Sequence, residues 1–418
     1  MVIKMPLSLQ HLLMNKRLFA VLLLGFSSGL PLALTSTTLQ AWFTQAHINL
    51  VTIGALSLIG IPYTLKFLWS PFMDYYGLSK LGKRRTWILL TQAGLVITLL
   101  LLAQMDPSTE AMSMSWIALT IAFFSASQDI SITAYQTDIL EEKERGLGAA
   151  YYVFAYRVAL LLSGGIALIF ADYFGFKLTY QIMALLVFLS MIAAYVAPRA
   201  VELPMRATSL FQSTVDSVKD FFTREKMVWL LLFIVFYKFG DALALSLMTN
   251  FLLQGLGFTL TEVGLAYKIV SFVATILGAF FGGILLTKWN IYRALLLFGL
   301  AQAFSNLLFA LLAIVGKHFV LMSFSIFIEN FCSGLSTAAL LAFMMSLCNH
   351  RYTASQFALL SALASLGRVF LGPLAAVLVQ NIGWTSFYVV SFVACFPGII
   401  FLLFLKEKGS THAHATLY

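Results

Sequence analysis

The chain has 418 residues, 61% hydrophobic and only 10% charged, with a mean hydropathy of +0.92. Water-soluble proteins are roughly 45–50% apolar and about 25% charged, and a fold of this length cannot hide so much apolar surface, so a soluble enzyme or binding module is excluded. The net charge of +9 would fit a polyanionic partner, but its placement on one side of a membrane removes nucleic acid from the list.

A membrane helix needs about 20 mostly apolar residues, and twelve segments meet this: 18–41, 51–73, 87–104, 116–139, 148–170, 181–198, 228–253, 263–287, 294–315, 319–347, 357–379 and 386–405. The first runs on without a small-residue cleavage site and is expected to be a membrane span rather than a signal peptide. With both termini cytoplasmic, nineteen of the 26 Lys and Arg fall inside and two, Lys177 and Lys317, fall outside; five lie within segments. Lys and Arg collect in cytoplasmic loops, so this asymmetry sets the orientation and accounts for the basic charge. Cys332, Cys348 and Cys395 all sit in apolar segments and form no CxxC pair, as small buried residues do.

The longest polar stretch lies between segments six and seven. It divides the chain into a six-helix half at 1–197, a cytoplasmic linker at 198–227, and a second six-helix half with a short tail at 228–418. The halves echo each other: GLPLAL at 29–34 and GDALAL at 240–245, TIGAL at 52–56 and EVGLA at 262–266, FSAS at 124–127 and FCSG at 331–334, with offsets of 211, 210 and 207. Gly29 and Pro31, Pro62, Gly164–Gly165 and Pro373 are expected to bend their helices, unless they are merely the Gly and Pro common in membrane helices.

Ionisable residues at membrane depth are Lys66, Asp129, Arg157, Lys238, Asp241, Lys268, Glu329 and Arg368. A charge at the bilayer centre costs at least about 2.5–3.5 kcal/mol, so none is expected to face lipid. None lies on segments three, six, nine or twelve. Ser125, Gln128, Asp129, Thr133 and Gln136 are spaced by three and four and share one helix face; Glu329, Asn330, Ser333, Ser336 and Thr337 form a comparable stripe. Two such stripes facing a common cavity would bind a hydrophilic solute. A buried carboxylate is harder to ionise, which makes Asp129, then Glu329, and Asp241 proton-coupling candidates. The plainer alternatives are a permanently paired Asp129, a static Lys238–Asp241 pair three residues apart, Arg157 and Arg368 that only orient helices, and a snorkelling Lys66.

There is no GxxxxGK[ST], GxSxG, HExxH or CxxCH pattern, and His412 and His414 fall in a polar tail. The expectation is a non-enzyme with no cofactor and no metal site, driven by an ion or solute gradient rather than ATP.

Duplicated six-helix halves resemble the layout of major facilitator transporters, which implies an all-α fold of twelve helices whose segments three, six, nine and twelve are outer supports. The loop WSPFMDYYGLSKLGKRRTW at 69–87 resembles that superfamily's signature loop in a stretched form. The resemblance implies a cytoplasmic gating latch from Asp74, Lys83, Arg84 and Arg85, whereas the basic residues alone could be a plain positive-inside cluster. KFLWSPFMDYY (66–76), SASQDI (125–130), YKFGDALALSL (237–247), EVGLAYK (262–268), IENFCSG (328–334), TASQFALLSALASLGRVFLGP (353–373) and GWTSFY (383–388) are similar to the AmpG muropeptide permease family. That likeness implies a monomeric, proton-coupled importer of anhydro-muropeptides in the bacterial inner membrane, serving peptidoglycan recycling. Substrate-binding candidates are Ser125, Gln128, Thr133, Gln136, Arg157, Lys238, Lys268, Asn330 and Arg368. Thr133 and Gln136 replace an acidic and a basic residue of the family pattern, which leaves a ferric-siderophore permease of the same superfamily as the alternative.

Overall fold

The computed structural model describes residues 15–75, 82–141, 144–199, 227–347 and 353–407. Most of the expected linker and the histidine tail lie outside these residues. Among the described residues, ten helical spans are long and apolar enough to cross a membrane. They are α1 Lys16–Gln45, α2 Leu50–Leu68, α3 Lys83–Leu102, α4 Pro107–Ile139, α5 Tyr151–Val196, α6 Met227–Gly255, α7 Leu260–Leu286, α8 Ile291–Val315, α9 Phe319–Leu347 and α10 Leu360–Leu405.

Polar residues just ahead of the apolar runs start these helices. The side chains of Asn15, Asn49, Asp106 and Asn290 accept from the amides of Arg17, Thr52, Ser108 and Tyr292, and Thr259 forms a capping box with Glu262. Each cap satisfies an amide that has no partner inside its own helix. Two spans, α5 and α10, are 46 residues long. At 1.5 Å per residue an unbroken helix of that length would be more than twice the roughly 30 Å hydrocarbon thickness. Each is broken by a glycine at positive φ, Gly175 (φ 80°) in α5 and Gly383 (φ 73°) in α10. Backbone of this kind is open to glycine and strained for other residues.

Proline and glycine act where the sequence places them. Pro31 lies inside α1 and is followed by a widened π-turn at Leu34–Thr38. The hydroxyls of Thr35 and Ser36 donate to the carbonyls of Pro31 and Leu32 across this stretch. Gly164 and Gly165 sit in a second π-turn, Leu162–Ile166, within α5. Pro62 opens a helical turn after a 3₁₀ stretch at Leu56–Gly60, and Pro373 lies inside α10.

The helices pack into two compact units: one within Met1–Ala46 and Ile59–Ala207, the other within His47–Leu58 and Thr208–Tyr418. In the first, Leu18, Val21 and Leu24 of α1 meet Ile88 of α3, Ile132 and Tyr135 of α4 and Ala194 of α5. In the second, Phe233 and Tyr237 of α6 pack with Leu295 and Phe298 of α8, Ala339 and Phe343 of α9 and Leu402 of α10. The second unit also contains the first turns of α2, where Gly54 meets Gly372 of α10 backbone to backbone and Ser57 donates to the Val369 carbonyl at 2.7 Å.

Candidate functional site

Among the described residues, each unit holds a cluster of polar side chains within its apolar spans. In the first, Asp129 of α4 accepts from Ser28 Oγ of α1 at 3.0 Å, from the Tyr152 hydroxyl of α5 at 2.9 Å, and from Lys66 Nζ of α2. Three helices therefore converge on this carboxylate, and one ammonium balances its charge. Beside it, the amide nitrogens of Gln128 (α4) and Gln92 (α3) both donate to Ser27 Oγ of α1, at 2.7 and 2.9 Å. All three side chains are buried. Ser125 is buried on the same stripe, whereas Thr133 and Arg157 are exposed and Gln136 is half-buried.

The second unit is built differently. Asp241 of α6 is 8% exposed and Glu329 of α9 is 0% exposed, and between them lies Gln302 of α8. The Gln302 amide nitrogen donates to Asp241 Oδ1 at 2.9 Å and to Glu329 Oε1 at 3.3 Å, while its oxygen accepts from Ser336 Oγ at 3.2 Å. Asn330 donates to Glu329 Oε2 at 2.6 Å. Lys238 Nζ lies 3.4 Å from Asp241 Oδ2 and also donates to the hydroxyls of Ser333 and Ser336, at 3.2 and 2.7 Å. One ammonium thus faces two carboxylates. Taking charges out of water is expensive unless they are balanced, so, counting the described side chains, this cluster is neutral only when one carboxylate carries a proton. The first cluster needs none.

The expected site residues separate accordingly. Gln128 and Asp129 come together in the first unit, and Lys238, Asp241, Glu329 and Asn330 in the second. Arg368 is exposed. An exposed guanidinium at membrane depth belongs in a wet space rather than in hydrocarbon. The side chains of Asp74 and Lys268 lie outside the described ones. Of the basic residues after the loop, Arg84 Nε donates to Asp138 at 3.0 Å, while Arg85 is buried and donates to the carbonyls of Ala194 and Tyr195. These carbonyls end α5, so Arg85 caps a helix C-terminus, where a cation also meets the negative end of the dipole. Lys83 is half-buried at the start of α3.

Gln92 and Gln302 are the functional candidates that a search for ionisable groups passes over. They occupy the third and eighth spans, next to apolar neighbours, and stand 210 residues apart, as do the helix caps Asn49 and Thr259. Gly175 and Gly383, the two span-breaking glycines, are 208 apart. The internal repeat was the signal that could have found them.

Ten apolar spans carrying a buried polar cluster in each of two compact units describe a polytopic membrane transporter. Residues 19–358 match the model of the Major Facilitator Superfamily. The anhydromuropeptide permease of Escherichia coli (strain K12) is 46% identical over 388 residues, covering 93% of this chain and 79% of the relative. The POT family transporter PepTSo has a similar structure, with a TM-score of 0.72 at 10% identity over 94% of this chain and 98% of that one. The D-xylose-proton symporter gives a TM-score of 0.69 at 13% identity, over 94% and 97%. At these identities the two structures speak for the fold alone. The chain belongs to the Major Facilitator Superfamily and, within it, to the AmpG-like permeases; it is a transporter and not an enzyme.

Proposed function

We propose that the chain is a proton-coupled importer of anhydro-muropeptides in the bacterial inner membrane, working as a monomer in peptidoglycan recycling. The observation that carries this reading is the 46% identity, sustained over 93% of the chain, to a permease named for anhydromuropeptide. The same relationship favours a muropeptide over a ferric siderophore as the cargo. Breaks at Gly175 and Gly383 divide two of the ten spans, which supports twelve crossings. The Lys and Arg asymmetry supports cytoplasmic termini.

The cargo in this reading is a sugar-peptide with both charge signs, and the exposed guanidinium groups, Arg157 in the first unit and Arg368 in the second, are each substrate-binding candidates. In this reading Glu329 and Asp241 hold the coupled proton between them, because one Lys238 cannot balance two carboxylates. Asp129, fully met by Lys66, Ser28 and Tyr152, holds helices and orients the cargo instead. Proton binding neutralises the second cluster, and release on the cytoplasmic side restores its negative charge and resets the cycle.

The test is uptake of a labelled anhydro-muramyl disaccharide peptide into proteoliposomes, with and without an inward pH gradient. The wild type accumulates it only with the gradient. Glu329→Gln still exchanges it across the membrane but no longer accumulates it. Wild-type vesicles that neither take up nor exchange the probe would rule out the cargo, and gradient-driven accumulation by Glu329→Gln would rule out the carrier.

A further inference from the structure

Glu329 is 0% exposed, so a proton that reaches it must pass through protein. Around it are Asp241 and Lys238 of α6, Gln302 of α8, and Asn330, Cys332 and Ser333 of its own helix. Tyr267 of α7 and Tyr388 of α10 lie within electrostatic reach, and Arg368 of α10 lies within reach of Tyr267. Among the described residues these groups account for the polar contacts of the carboxyl, and Lys238, Asn330 and Ser333 are half-buried.

One turn further along, the packing leaves two polar atoms unmet. Spans α8 and α9 are sequential neighbours, and the bond from Gln302 to Glu329 sets their register. Four residues on in α8 is Asn306; four residues back in α9 is Ser325. The two therefore come to one level, about 6 Å from the carboxylate cluster along the helix axes. Both are 0% exposed. Among the described residues, neither Asn306 Oδ1 nor Ser325 Oγ has a hydrogen-bond partner. The Asn306 amide nitrogen donates to Cys395 Sγ at 3.6 Å, and either assignment of the amide leaves one of its ends unpaired. Ser325 also makes no bond back to the carbonyl one turn earlier, as serines in helices commonly do. A further turn out, the register brings Phe309 opposite Met322, both 0% exposed, with the Tyr388 ring 5.4 Å from that of Phe309.

Buried polar groups left unpaired by protein are met by internal water, which needs two to four polar partners. Asn306 and Ser325 supply two, and the cluster at Glu329, about 6 Å further along the helix axes, is one more water away. We propose that a water held between Asn306 and Ser325 relays the proton from the outer side to Glu329, through the interior of the second unit, with Phe309 and Met322 as its apolar gate. The inference rests on the reading of Glu329 as proton carrier and on the orientation proposed above. The proton passes from bulk water to the held water and, through a second water over the remaining turn, to a Glu329 oxygen; nothing is oxidised or reduced. Proton and cargo then enter by separate routes, so that the cargo does not block its own driving ion.

The experiment uses the full-length protein and one readout that needs no cargo. The protonated carboxyl of Glu329 gives an infrared band, identified by its loss in Glu329→Gln, whose shift in deuterated water times proton access. Asn306→Leu and Ser325→Ala are each expected to slow that shift about tenfold, and Ser325→Thr to restore it. In proteoliposomes, the same two variants lose a similar factor in pH-driven uptake of the labelled anhydro-muramyl peptide and keep exchange at symmetric pH within about twofold of wild type. Should Asn306→Leu fail to fold, the Ser325→Ala and Ser325→Thr pair decides alone. If Glu329→Gln removes the band while the Ser325→Ala shift stays at the wild-type rate, the water is structural only and the route is overturned, with the carrier intact. If no band is lost in Glu329→Gln, carrier and route fall together.

Discussion

At the scale of the residue, Asp129 and Glu329 stand in contrasting surroundings. In sequence they look alike, each a carboxylate on a polar stripe of an apolar segment with an amide next to it. Their neighbours distinguish them. Asp129 has an ammonium to itself, and its side chain is 21% exposed against 39% for Lys66. At such exposure an ion pair is worth little, and a double-mutant cycle with Lys66→Met and Asp129→Asn, read by thermal unfolding in detergent, is expected to give a coupling of about 0.5–1 kcal/mol. Glu144, between α4 and α5, shows how solvent-side charges act. Burial pushes its carboxyl up, but the Glu141 amide, Asn15 and Arg17 outweigh this and hold it below the ordinary value of 4.5. A carboxyl lowered in the folded state adds stability above its ordinary value, and this is lost as the pH falls through the lowered one. Unfolding temperatures of Glu144→Gln and wild type should therefore differ at neutral pH and converge as the pH drops below about 4.

At the scale of the element, helix ends and helix contacts do different work. Caps such as Asn49 and Asp106 rest on a local feature, a short polar residue ahead of an apolar run. The role of Arg85 was not. In sequence it belongs to a basic cluster that fits a loop latch or plain positive-inside charge, and only the packing of α3 beside the end of α5 turns it onto the carbonyls of Ala194 and Tyr195. Arg85→Ala leaves these acceptors unmet at a buried helix end and is expected to cost about 1–3 kcal/mol, measured as a drop in unfolding temperature. A latch residue without that bond would instead change transport and leave stability unmoved. Close packing in the second unit shows the same dependence on partners. A Cβ at Gly278 of α7 would sit 2.1 Å from the Phe331 carbonyl oxygen of α9, a constraint that apolar composition does not announce.

At the scale of the whole molecule, two halves built on one plan carry different chemistry. Gln92 and Gln302 occupy matching places, yet Gln92 meets a serine while Gln302 joins two carboxylates. Gln302→Leu is expected to abolish most pH-driven uptake while sparing exchange. Gln92→Leu, which also removes an unmet carbonyl oxygen, should leave uptake near wild type and change stability by no more than about 1 kcal/mol. Measuring both variants in the same vesicles checks the asymmetry. The sequence by itself determined the membrane class, the apolar helical character of the segments, their breaks at Pro31 and Gly164–Gly165, and the family. These follow from local composition, from period and from motifs that survive without partners. Tertiary structure alone decided which charges meet, because a carboxylate's role depends on the cations and donors brought to it from other helices. FFSASQDISITAYQTDIL displays Asp129 plainly, but only the fold brings Lys66, Ser28 and Tyr152 to it. Nothing in IENFCSG reveals that Glu329 shares one lysine with Asp241 through a glutamine 27 residues earlier.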